Sequence, residues 1–164
     1  MNRKLRSAAL LLTGPAVLGV GLTAAGPASA AGTPAVVCST TAPVVIDGFA
    51  FDPATVTPGA SSTADLISTN CTAGTLATQE EWTGQWITAT GSGVAAGCPA
   101  IDPLVRDVTY APGEELAENT GYEVPAGCTA TELAVTVQIS IPTGSAATIA
   151  TATAYLDIDQ IVAG

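Results

Sequence analysis

The chain of 164 residues carries fourteen acidic and four basic residues, no histidine, and a net charge of −10. The charge argues against nucleic acid and anionic lipid as partners, because both are held by lysine and arginine neutralising phosphates. The missing histidine removes the usual general base, the Ser/His/Asp and Cys/His arrangements, HExxH zinc chemistry and imidazole ligands for copper, so no catalytic site and no cofactor is expected.

Residues 1 to 30 have the three-part layout of an export signal. Asn2, Arg3, Lys4 and Arg6 form a polar, basic start, Ala8 to Ala25 an apolar stretch, and Pro27-Ala28-Ser29-Ala30 a small-residue cleavage site. Gly14, Pro15, Gly19 and Gly21 interrupt the apolar run, which speaks against a permanent membrane span. Cleavage after Ala30 leaves Arg106 as the one cation against fourteen acidic residues, a net −13, which keeps an extracellular chain soluble and attracts a basic partner if any. The expected product is a secreted protein with an extended segment at residues 31 to 42 and one domain at 43 to 164. A chain of that length buries enough surface for a single core.

The first predicted strand, A, covers residues 43 to 51 and runs into a Thr57-Pro58-Gly59 turn. Strand B follows at 61 to 70 and ends in Asn70-Cys71-Thr72, a glycosylation sequon that the bacterial style of the signal leaves unused. Strand C, at 80 to 90, contains Glu81-Trp82-Thr83-Gly84-Gln85-Trp86, in which Trp82, Gly84 and Trp86 share one face. Two readings attach to that face: indoles buried in the core, or a flat aromatic platform for sugar rings. Glu80, Glu81, Glu114 and Glu115 are the nearest approach to a glycosidase carboxylate pair, but neighbours on a strand face opposite ways, and these side chains are expected to be solvated.

Strands D at 104 to 110 and E at 116 to 124 are separated by Ala111-Pro112-Gly113-Glu114. Strand F, 131 to 141, gives the clearest signal: Leu133, Val135, Val137, Ile139 and Ile141 alternate with small or polar residues, the period of a half-buried strand. Strand G, 147 to 158, turns Ala150, Ala152, Ala154, Leu156 and Ile158 inward and completes a hairpin with F. Asp157-Ile158-Asp159 lacks the glycine of a dedicated calcium loop and is read as solvated, so no metal is assigned. Seven short strands without a helical repeat outside the signal predict an all-β, seven-stranded immunoglobulin-like sandwich.

Four cysteines at gaps of 33, 27 and 30 residues, with no CxxC pair, argue for two disulfides rather than zinc. Successive antiparallel strands alternate direction, so Cys38 and Cys71 fall at one end of the strands and Cys98 and Cys128 at the other. The expected bridges are Cys38 with Cys71 and Cys98 with Cys128.

Two resemblances rest on these residues. Val44 to Gly59, VVIDGFAFDPATVTPG, resembles the opening strand of cupredoxins, but a chain without histidine lacks that family's copper ligands. More widely, residues 44 to 158 resemble the small immunoglobulin-like domains of secreted actinobacterial proteins. The resemblance is carried by the TPG turn at 57 to 59, Asn70-Cys71-Thr72, Tyr122 with VPAGCTATELAVTV at 124 to 137, and TATAYLDI at 151 to 158. It implies a fold and an extracellular location rather than an activity. The function expected is a non-enzymatic binding or scaffold module for another secreted or cell-surface protein, as a subunit of a larger toxin-type assembly or an inhibitor of a secreted enzyme. Residues 31 to 43 are one route, as a strand added to a partner's sheet. The alternative is carbohydrate or cell-wall binding through Trp82 and Trp86.

Overall fold

A computed structural model describes residues 38, 41 to 91, 94 to 142 and 147 to 160. The expected export signal, most of the segment 31 to 42, and the tip of the last hairpin lie outside them. The described residues form strands and turns with no helix. The strands are β1 (Val44–Asp52), β2 (Thr55–Val56), β3 (Ser61–Asn70), β4 (Leu76–Ile87), β5 (Leu104–Tyr110), β6 (Glu115–Glu123), β7 (Glu132–Ile141) and β8 (Ala147–Ile158). The seven strands read from the sequence are all present. The eighth, β2, is a two-residue piece between the predicted strand A and the Thr57-Pro58-Gly59 turn, where no strand was expected.

Two sheets result, a three-stranded one ordered β1-β3-β6 and a five-stranded one ordered β2-β8-β7-β4-β5. The alternation in β7 does what its period predicted: Leu133, Val135, Val137 and Ile139 are fully buried, and they face Ala154, Leu156 and Ile158 of β8 within the same core. Each fully buried aliphatic side chain of this size contributes about 1.5–3 kcal/mol. From the other sheet come Val44, Phe51, Ala64 and Leu66. Phe49 sets its ring edge-on to Trp82, with centroids 5.3 Å apart, and so joins the two layers.

The two lateral sides of this body are closed differently. On one, the chain itself crosses: β1 leaves the first sheet at Asp52, and β2 pairs in parallel with β8 at Thr55↔Asp157 and Val56↔Ile158. On the other, β5 and β6 are the free edges of the two sheets. Arg106 of β5 bridges them, donating from Nη2 to the Asn119 carbonyl at 3.1 Å and to Thr120 Oγ1 at 2.8 Å, with its guanidinium 5.2 Å from the centre of the Trp82 ring.

Both disulfides form as the alternation of strand direction required. Cys38 is bonded to Cys71 after β3, and Cys98 in the β4–β5 connection to Cys128 in the β6–β7 connection. The second bridge draws two loops so close that a side chain at Gly97, which has φ +71°, would run into the Gly127 carbonyl.

Candidate functional site

Strand β4 has twelve residues and its neighbour β5 only seven. Their ladder runs from Leu76↔Tyr110 to Trp82↔Leu104 and stops there. On its other side β4 stays paired with β7 as far as Ile87↔Glu132. Residues Thr83 to Ile87 thus have a strand on one flank and none on the other.

Backbone parity decides what that open flank presents. In an antiparallel ladder, alternate residues turn both their N–H and C=O to the same side. Ile87 gives its carbonyl to Thr131 N on the β7 side, 2.9 Å. Gly84 and Trp86, of the opposite parity, direct theirs to the side that β5 has left. Among the described residues, no backbone hydrogen bond joins them to the segment 94 to 101 that passes nearby.

That segment is held from elsewhere. Cys98 ties it to Cys128, Thr129 donates its N–H to the Ala96 carbonyl at 2.9 Å, and the Trp86 indole Nε1 donates to the Pro99 carbonyl at 2.7 Å. Ile101 packs over Gly84, where an added Cβ would lie 2.8 Å from Ile101 Cδ1. Between segment and strand lies a cavity of about 420 Å³, walled by Gly84, Gln85 and Trp86 on one side and Ala95, Pro99 and Ile101 on the other. Val94 stands at its rim, 99% exposed. Asp102, next to Ile101 in the chain, is exposed, whereas Glu81 is exposed on the outer face of β4 and Glu132 is half-buried on the β7 side of Ile87.

The two indoles of the expected platform are therefore separated. Trp82 is 1% exposed and belongs to the core. Trp86 is half-buried and lines the cavity.

The paired half of β4 carries a second constellation, polar and sealed. Glu80 was expected to be solvated, yet it is fully buried, because its parity places it on the inner face with Trp82. Its Oε2 accepts from Trp82 Nε1 at 3.1 Å and its Oε1 from the Tyr110 hydroxyl at 3.3 Å, which in turn lies 2.9 Å from Ser68 Oγ. Burial first, and then the neighbouring Glu118 carboxyl, push the Glu80 acid up to about 7. Burial likewise raises the Tyr110 phenol to about 12. Glu81, Glu114 and Glu115 do not join this cluster. Glu81 is exposed on the outer face, Glu115 is exposed at the start of β6, and Glu114 caps the β5–β6 turn through the Ala111 N–H.

Asn70 of the sequon is also buried. Its amide donates to the carbonyls of Gly74 and Ala111 at 2.9 and 2.8 Å, and its oxygen accepts from Thr72 N and Thr72 Oγ1. All of the side chain's hydrogen-bonding capacity goes into joining two loops, which leaves no accessible nitrogen for a sugar. Asp157 and Asp159 are exposed, and among the described residues no group of three or more acidic or cysteine side chains is gathered as a metal site.

No family model matches the chain, and no curated relative does. Among solved structures it is similar to the Pseudomonas fluorescens alkylpurine DNA glycosylase AlkC, solved bound to DNA containing an abasic site analogue. That match has 12% identity and a TM-score of 0.50, over 74% of this chain and 32% of the glycosylase chain. A second is Spo0M, a sporulation control protein of Bacillus subtilis, at 10% identity and a TM-score of 0.40, over 71% of this chain and 47% of that one. The chain thus spans about a third of the glycosylase and under half of Spo0M. At such identities the glycosylase likeness concerns the arrangement of strands alone.

Proposed function

We propose that this chain is a secreted, non-enzymatic protein-binding module of immunoglobulin-like fold, and that it takes an extended segment of another extracellular protein along the open flank of β4. The observation that carries the reading is the five-residue overhang of β4 beside the Trp86 cavity. A strand's unpaired N–H and C=O groups are satisfied best by another strand, and a pocket beside them sets which side chain that strand brings.

The partner's chemistry follows from the site. Trp86, Ala95 and Ile101 suit one apolar side chain, and the net negative charge of the chain, with Asp102 exposed beside Ile101, suits basic residues flanking it. Strand order supports the fold reading: β8-β7-β4 stand side by side as G, F and C do in such domains, facing β1-β3-β6 in the places of A, B and E. Two disulfides fit an oxidising compartment and the basic, apolar layout of residues 1 to 30 fits an export signal. A likeness to small secreted actinobacterial domains agrees with both, and a role as subunit of a larger assembly or as inhibitor of a secreted enzyme uses the same flank. Carbohydrate binding, the competing reading, rests on Trp86 alone, because Trp82 is in the core.

Selection of linear peptides displayed on phage against the purified chain tests the proposal. The expected binders are extended peptides with an apolar residue between basic ones, and they slow hydrogen exchange at the Gly84 and Trp86 amides. N-methylation of alternate peptide amides abolishes their binding. Binders that leave both amides exchanging as in the free protein overturn the assignment, as does quenching of Trp86 by cell-wall oligosaccharides in a protein that selects no peptide.

A further inference from the structure

The interior polar cluster has no part in the binding flank, and its geometry contains an unresolved imbalance. Glu80 reaches from β4 and Glu118 from β6, so two carboxyl groups of opposite sheets face one another in the space between. Glu80 already accepts from Trp82 and Tyr110, whereas Glu118 Oε2 is buried with no hydrogen-bond partner. An orphaned carboxylate oxygen next to a second carboxylate is costly twice over, once for the missing donor and once for like charge at low dielectric. A single hydrogen removes both costs: on Glu80 it becomes a donor aimed at Glu118.

We propose that Glu80 and Glu118 share one proton across the two sheets and form a pH-sensitive lock, which fastens the β5–β6 side of the molecule when the proton is bound and loosens it when the proton leaves.

The groups that face Glu80 make this side the one that responds. From β5 come Arg106, directly opposite Glu80, and Tyr110. The Arg106 hydrogen bonds go to Asn119 and Thr120 and not to either carboxylate. From β6 come Glu118 and, beyond it on the same face, Tyr122, which is paired edge-on with Phe51. From β3 the facing group is Ser68, which does not titrate, and from β7 it is Ile139, opposite Glu80 in the ladder. No other acid on β4 joins them, since Glu81 points outward. With the Arg106 bridge from β5 to β6 and the Ser68–Tyr110 hydrogen bond from β3 to β5, the shared proton is a third polar tie between strands of opposite sheets.

The sign is fixed by linkage. Glu80 has its folded-state acid raised from 4.5 to about 7, mainly by burial. The folded chain therefore holds a proton that the unfolded chain has already released, and stability is full below pH 4.5 and is lost as pH rises through about 7. Each unit of such a shift is tenfold in the ratio of folded to unfolded chain, so this pair lowers that ratio on the order of a hundredfold across the interval.

Urea unfolding of the secreted chain, followed between pH 4.5 and pH values above 7, is the test. Glu80→Gln keeps the shape of the side chain and offers Glu118 a permanent amide donor. It is expected to remove most of the fall, leaving the shallow slope of the remaining carboxylates, while the exposed Glu81→Gln falls as the wild type does. Equal slopes in wild type and Glu80→Gln overturn the proposal. A second readout needs no unfolding. In a Trp86→Phe background, Trp82 emission reports the carboxyl bonded to its Nε1 and is expected to change with a midpoint near 7. Glu118→Gln, whose amide can donate to an ionised Glu80, moves that midpoint to lower pH. An emission that stays constant as the pH crosses 7 in the folded protein also overturns the lock.

Discussion

Two halves of one strand, β4, have opposite characters. From Gln79 to Trp82 the strand is flanked on both sides, and its inner face is sealed tightly enough to hold a buried glutamate in hydrogen bonds. From Thr83 to Ile87 it has one flank, its inner face is covered by a segment that makes no backbone hydrogen bond to it, and an indole stands beside a cavity. The sequence chemistry of the halves is similar, each with one tryptophan on the inner face. What separates them is where β5 begins, six residues after Cys98. A neighbouring strand turns a polar side chain into structure, and its absence turns an apolar one into surface.

The largest effects should expose this asymmetry. Trp82→Ala removes a fully buried indole, a partner for Phe49, Arg106 and Glu80, and is expected to cost about 3–5 kcal/mol. Trp86→Ala, four residues along the same face, is expected to cost about 1–2 kcal/mol, because its ring is only partly buried and the Pro99 carbonyl it leaves is open to water. Urea midpoints at constant m-value separate the two. Equal losses would mean that the segment 94 to 101 belongs to the same cooperative core as Trp82, and the contrast would fail.

Next in size is the Cys98–Cys128 bridge. Replacing both cysteines by alanine frees a loop closed over a separation of 30 residues, worth about 3.7 kcal/mol as an upper figure in the chain-entropy treatment. The contrast adds a spatial expectation. Amides of the open half, Gly84 and Trp86, and of the segment 94 to 101 should exchange faster in the double variant, while those from Thr78 to Trp82 keep most of their protection, as hydrogen exchange would show. Uniform loss along β4 would count against two separable halves.

Most of the frame was readable because it depends on local rules. Period two over Leu133 to Ile141 placed the core strand, Pro-Gly turns set its neighbours, and alternation of strand direction paired the cysteines. Glu80 shows where reading stopped too soon. The parity that put Trp82 inward puts Glu80 inward as well, but a carboxylate is normally solvated, and what acts on it there comes from other strands: a phenol from β5 that donates to it and a second acid from β6 that favours its protonated form. Those partners lie 30 and 38 positions away, and no spacing rule joins them. The piece β2 escaped for a similar reason: two residues have no period, and Thr55 and Val56 are strand only because β8 lies alongside. The overhang of β4 is likewise a difference between two strand lengths and the register that aligns them, which a pattern within either strand does not contain.

The smallest expected effect is the most local. Gly84 sits on the inner face of the open half, and a methyl there meets Ile101 Cδ1 and Cγ2 at 2.8 and 2.9 Å. Such overlap costs about 1–3 kcal/mol where neighbours are fixed. Here the contacts reach back to the Ile101 Cβ at 3.2 Å, but the segment that carries Ile101 is held by the Cys98–Cys128 bridge and the Trp86 indole rather than by a strand ladder, so Gly84→Ala should fall at the low end, about 1 kcal/mol. Ile101 must swing away, and the cavity changes on that wall while Trp82, Glu80 and the sealed half stay as they are. Trp86 emission should shift red, and peptides selected on the wild-type flank should lose affinity more than the protein loses stability. A cost beyond about 3 kcal/mol, with Trp82 perturbed too, would show that Ile101 cannot yield and that β4 is braced along its whole inner face, flanked or not.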